Sequence, residues 1–129
     1  MKYQDKVITS LKELATNVNY FPGIDWWYFK YGSYQMVYIP DNHSSNLIRI
    51  CIPHFGSIED YDSERLSIAI NETNKEVKYV KVVTLSNGSI SINYDHKYDS
   101  ENDLNSMLLH MLKTLCFAAE YLKSKLSEK

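Results

Sequence analysis

Two dipeptides, Gly32-Ser33 and Asn87-Gly88, constrain this chain most, because each stands between runs of strand-forming residues. Glycine reaches the positive φ that a tight hairpin turn demands, so each dipeptide forces its flanks into neighbouring antiparallel strands. Around the first, Trp26-Trp27-Tyr28-Phe29-Lys30-Tyr31 meets Tyr34-Gln35-Met36-Val37-Tyr38-Ile39. A two-residue loop pairs Tyr31 with Tyr34, Phe29 with Met36 and Trp27 with Tyr38. One face then carries Trp27, Phe29, Tyr31, Tyr34, Met36 and Tyr38, and the other Trp26, Tyr28, Lys30, Gln35, Val37 and Ile39. The first set is heavier and is assigned to the core. The second mixes rings and aliphatics with Lys30 and Gln35, as an interface sets a polar rim around aromatic anchors. Trp26, Tyr28, Val37 and Ile39 are therefore the candidate partner-binding residues.

The second hairpin is expected over 77–94. A two-residue Asn87-Gly88 loop places Ile90, Ile92 and Tyr94 opposite Leu85, Val83 and Lys81, with one face in the core and the other wetter. A further strand is expected over 47–52, with Ile48, Ile50 and Ile52 on one face and Leu47, Arg49 and Cys51 on the other. Pro53 is expected to stop it.

Helical spacing marks three other segments. Val7, Ile8, Leu11, Leu14 and Ala15 share one face of a helix over 2–17, ended by Phe21-Pro22-Gly23. A second helix is expected over about 59–71, its first turn rich in Glu59, Asp60, Asp62 and Glu64, which suit the positive end of the helix dipole. A third follows Ser100, whose spacing to Asp103 resembles a capping box, and runs to about Ser124. Its stripe is Leu104, Met107, Leu108, Met111, Leu112, Leu115, Ala118, Ala119 and Leu122. The order helix, three strands, helix, two strands, helix predicts an α+β fold, an antiparallel sheet packed with helices. The 129 residues are expected to form one such domain.

Few chemistries find a foothold. Fourteen basic residues against sixteen acidic give a net charge of −2, which argues against a nucleic-acid binder. No apolar run is long enough to span a bilayer, and Met1 to Lys6 lacks the apolar core of a secretory signal, so a cytoplasmic chain is expected. Cys51 and Cys116 sit among apolar neighbours and read as reduced core thiols. Cys51 with His54 is the nearest approach to a metal site, but no third ligand lies near in sequence. No spacing supplies a nucleophile with its base, and the glycines are scattered singly, so no phosphate loop exists. The four carboxylates at the second helix are read as a solvated first turn. No cofactor, metal or catalytic residue is assigned.

A family likeness enters at the second helix. Leu66-Ser67-Ile68-Ala69-Ile70-Asn71-Glu72-Thr73-Asn74, then Val77-Lys78-Tyr79-Val80-Lys81-Val82 and the Asn87-Gly88 turn, resembles the YbjN-like proteins, which share an architecture with the type III secretion chaperones. Asn71 and Asn74 would match a helix ending in two asparagines three apart. Read physically, they close the helix and turn the chain, since asparagine tolerates the left-handed conformation. The resemblance implies a non-enzymatic binding fold, often dimeric, in some members a chaperone for exported proteins. The expectation is thus a protein-interaction or chaperone-like domain forming a homodimer. The alternative is a small-molecule-binding domain that holds a ligand between sheet and helices.

Overall fold

The computed structural model describes residues 3–41, 47–97 and 103–127. Helix α1 (Tyr3–Leu14) is followed by β1 (Thr16–Phe21), β2 (Trp26–Tyr31), β3 (Tyr34–Pro40) and β4 (Leu47–Ser57). A short 3-10 turn (Ile58–Asp60) leads into α2 (Ser63–Glu76), then β5 (Val80–Thr84), β6 (Ser89–Lys97) and α3 (Leu104–Ser127). The six strands form one sheet in the order β1-β2-β3-β4-β6-β5, with every neighbouring pair antiparallel. The α+β class and the alternation of helices and strands are as expected.

The first helix is shorter than expected, and four strands rather than three precede α2. At Asn17 the backbone turns left-handed, φ 56°, a conformation asparagine tolerates better than most residues. Asn17 and Val18 together oppose Phe29, because the register slips between Thr16↔Lys30 and Asn19↔Tyr28. That bulge converts what looks like a helix tail into an edge strand.

Pro53 does not stop β4. The strand runs on to Ser57, and Pro53, His54 and Phe55 lie in a bulge between the pairs Ile52↔Ile92 and Gly56↔Ile90. A bulge asks for no ladder hydrogen bond from proline, which has no N–H to give.

Helix α2 starts later and ends later than expected. Asp62 caps it, its Oδ2 accepting the Arg65 N–H at 3.1 Å. The helix passes through both asparagines to end at a Val77 cap, so neither Asn71 nor Asn74 closes it.

The two hairpins differ in register. The first pairs Trp27↔Tyr38, Phe29↔Met36 and Tyr31↔Tyr34, as its two-residue loop requires. In the second the pairs are Thr84↔Ile90, Val82↔Ile92 and Val80↔Tyr94, one residue away from expectation. Gly88, at φ 87°, donates its N–H to the Leu85 carbonyl at 2.9 Å, while the Leu85 N–H reaches Ser89 at 2.8 Å. The loop therefore holds three residues, a turn followed by a glycine bulge. The slip hands the core to Val80 and Val82 in place of Val83 and Lys81.

All three helices pack on one face of the sheet. Val7 and Leu11 of α1, Leu66 and Ala69 of α2, and the stripe from Leu108 to Leu122 of α3 share one cluster with Phe29, Met36, Tyr38, Ile50, Ile90 and Ile92. The expected Ser100 cap lies outside the described residues. No described helix is long and apolar enough to cross a membrane.

Candidate functional site

Strand alternation places a second set of side chains on the face away from the helices. One row crosses all six strands in register: Asn19, Tyr28, Val37, Cys51, Asn93 and Lys81. Beside it, Phe21 pairs with Trp26, and Ile39 pairs with Arg49, which pairs with Asp95. None of these side chains belongs to the helix-packed core. The face is open.

Its β1–β3 half is aromatic. The Phe21 and Tyr28 rings meet edge-on, centroids 6.0 Å apart at 70°, and Trp26 tilts against Tyr28 at 6.0 Å and 49°. Such pairs gain more than their buried area alone supplies. Phe21 is 56% exposed, and Trp26, Tyr28 and Ile39 are half-buried. The structure thus brings together the four residues expected to bind a partner, with one correction. Val37 is fully buried, set between Tyr28 and Cys51 in the ladder; it is the floor of the surface and offers no exposed anchor. Phe21 was missed because its segment reads as a helix end. The turn formers Pro22-Gly23 between two aromatic runs were the signal for a further hairpin.

The β4–β6–β5 half is polar. Arg49 grips Asp95 in a bidentate pair, Nε to Oδ1 at 2.6 Å and Nη2 to Oδ2 at 2.8 Å, and this contact raises the arginine pKa. Cys51 is 4% exposed, and burial pushes its thiol up to about 12, the nearby Arg49 charge offsetting only part of the shift. A thiol so held is neutral near pH 7 and is a poor nucleophile. His54 Nδ1 lies 2.9 Å from the Ser89 hydroxyl. Among the described residues no three His, Cys, Asp or Glu side chains gather where they could hold a metal ion.

Asn74 has a role the sequence did not disclose. Its Oδ1 accepts the Val82 N–H at 2.7 Å, and its Nδ2 donates to the Val82 carbonyl at 3.1 Å. The amide occupies the outward groups of an edge strand, as a neighbouring strand would, and so ties α2 to β5. Asn71 stays exposed. The layer between sheet and helices, where a small ligand would lie, is filled by side chains such as Phe29, Met36, Leu112 and Leu115 at 0% exposure. What the site offers is a broad surface with aromatic anchors at one end and charge at the other.

No family model matches the chain, and no curated protein matches it. Solved structures do. An uncharacterized protein from Methanothermobacter thermautotrophicus superposes with a TM-score of 0.66 at 12% identity, over 96% of each chain. A chain of the HopA1–SchA chaperone–effector complex superposes with a TM-score of 0.64 at 6% identity, over 94% of each chain. At such identities the likeness is one of fold. It runs over nearly the whole length, so the chain shares its whole fold with both.

Proposed function

We propose that this chain is a non-catalytic, chaperone-like interaction domain that binds a partner polypeptide on the open face of its sheet. The observation that carries the proposal is the group of mutually packed rings, Phe21, Trp26 and Tyr28, with no described helix packed on them. Large rings that pack on each other but stay wet at their outer surface have the composition of an interface centre. The fold shared with a chain of a chaperone–effector complex supports the same role. Neither a cofactor nor a metal enters the proposal, and its free cysteines suit a reducing, cytoplasmic compartment.

The test is co-precipitation from the source cell with the wild-type chain, Trp26→Ala and Tyr28→Ala, each shown folded by circular dichroism. A stoichiometric partner held by wild type and lost by both variants is the expected result. A partner retained equally by all three would place binding elsewhere and overturn the proposal.

Self-association belongs to the same proposal. Strand β1 is an edge strand, and Tyr20, Phe21 and Ile24 at its end are 44%, 56% and 47% exposed. Two copies meeting there would cover an unpaired edge and three large apolar side chains. Light scattering should give twice the 15.1 kDa chain mass; a monomer at all working concentrations would remove this element.

A further inference from the structure

Where α2 runs into β5, the open face ends at a cleft of about 620 Å³. Lys75 and Lys78 reach it from the end of α2 and the following turn, Lys81 from β5 and Arg49 from β4, against Asp95 as the single lining carboxylate. In a chain of net charge −2, this is a segregated positive patch. Arg49 is engaged by Asp95. Lys75, Lys78 and Lys81 have no ion-pair partner among the described residues. Lys75 alone has an ordinary explanation, since a cation in the last turn offsets the helix dipole. Lys78 and Lys81 lie beyond that turn.

The cleft is also held in shape. Asn74 clamps α2 to β5 through both polar groups of Val82. Between Lys78 and Lys81, Tyr79 adopts φ 74°, a conformation that strains a bulky residue and persists only where its surroundings hold it. Its ring stacks on Tyr94 at 6.0 Å and 17° and meets His110 edge-on at 6.1 Å.

We propose that this cleft receives an acidic segment of the partner polypeptide whose apolar part lies on Phe21, Trp26 and Tyr28, an inference that rests on the docking reading above. The charge pattern favours polypeptide carboxylates over phosphates. The cleft borders the C-terminal end of a helix, where free carbonyls oppose dense negative charge, whereas phosphates favour helix N-termini. The spacing is readable as well. Tyr28, Val37, Cys51, Asn93 and Lys81 stand side by side on five consecutive strands, so four spacings of ~4.8 Å separate the aromatic anchor from the lysines by ~19 Å. An extended segment covers that distance in about six residues. The partner should carry Asp or Glu about six residues from an apolar anchor.

The test pans a phage-displayed library of random peptides, long enough to span both halves, on the full chain. Enriched peptides are then synthesised with a fluorescent label and titrated by anisotropy. Expected are peptides that pair an apolar anchor with acidic residues at that spacing and bind more weakly as salt rises. The triple variant Lys75→Gln, Lys78→Gln, Lys81→Gln should weaken them by ~10-fold, and Trp26→Ala should weaken them as strongly. Lys81→Gln alone, on the strand, checks that the loss is not one of folding. Peptides sensitive to Trp26→Ala but indifferent to salt and to the lysine variants would overturn the acidic cleft and leave the docking face standing. Peptides indifferent to Trp26→Ala, or no enrichment at all, would overturn both. A lysine-dependent single-stranded oligonucleotide complex with no acidic peptide selected would assign the cleft to nucleic acid and overturn the inference.

Discussion

On the helix-covered face of β2 and β3, Phe29 and Met36 are 0% and Tyr38 1% exposed; on the other face of the same strands, Trp26, Tyr28 and Ile39 remain half-exposed. The two faces draw on the same residue types, so hydrophobicity does not decide which is sealed. Helix placement does. α3 offers one long stripe, and α1 and α2 flank it on the same side, so the described helices cover one face of a six-stranded sheet and none of them covers the other. Antiparallel sheets tolerate this when the second face is wetted. Here that face is aromatic over half its width, and the proposed docking role rests on that surface.

The sharpest way to break this comparison is to truncate one ring on each face. Phe29→Ala removes a fully buried ring from the core cluster and should cost ~3–5 kcal/mol of stability as a core cavity. Trp26→Ala should cost less than half of that, because its pocket is already open to water. Denaturant midpoints at unchanged slope give both numbers. An unfolded Trp26→Ala beside a silent Phe29→Ala would mean that the faces are reversed.

The binding counterpart is next in size. Trp26→Ala and Tyr28→Ala should each weaken the captured partner by ~2 kcal/mol, about thirtyfold, as hot-spot rings do. Val37→Ala should act through stability, since that side chain is fully buried beneath the surface. If Val37→Ala proved as damaging to binding as Trp26→Ala while leaving stability intact, the surface would have to rearrange on contact.

How much of this was legible depended on local turn chemistry. At Gly32-Ser33 the two-residue loop that a Gly-X pair favours is the one that forms, so the register of the first hairpin, and with it the two faces, could be read residue by residue. Asn87-Gly88 serves two-residue and three-residue loops alike, and the choice is made by the bulge at Gly88, which no pattern of apolar residues discloses. β1 was hidden because Val18 continues the helical spacing of Leu11 and Leu14, while the left-handed turn at Asn17 that ends the helix is a backbone event. The aromatic half of the site was therefore visible except for Phe21. The cationic half was not, because Arg49, Lys75, Lys78 and Lys81 come together only through strand order and the Asn74 clamp.

Alkaline titration separates the faces more finely. Cys51, on the open side, has its thiol raised from an ordinary 9.0 to about 12, chiefly by burial, so the folded chain keeps a proton that the unfolded chain releases. The sign follows: this contribution is whole below pH 9 and is lost as pH rises toward 12. At pH 10 the loss should be about 1–2 kcal/mol. Tyr38, on the covered side, is raised by burial too, so Cys51→Ala should remove part of the alkaline destabilisation and leave the rest. Urea midpoints from pH 8 to 10.5 would show this; an identical pH profile in Cys51→Ala would mean that the thiol is solvated and the open face looser than its ladder of neighbours implies.

The smallest expected effect lies at the boundary between the aromatic and cationic halves, in the Arg49–Asp95 pair. Its geometry is bidentate, which favours strength, but the two side chains are 45% and 41% exposed, and water screens what geometry gives. A double-mutant cycle with Arg49→Gln and Asp95→Asn should therefore return a coupling of ~0.5 kcal/mol or less in the isolated chain. The same cycle read at rising protein concentration, or with partner bound, has a different expectation. If a second molecule covers this part of the sheet, the pair loses its solvent, and breaking one member strands the other charge, at a cost of several kcal/mol. A coupling that stays small alone and grows on binding locates the contact over the pair. A coupling that is small in both states confines the contact to the aromatic half.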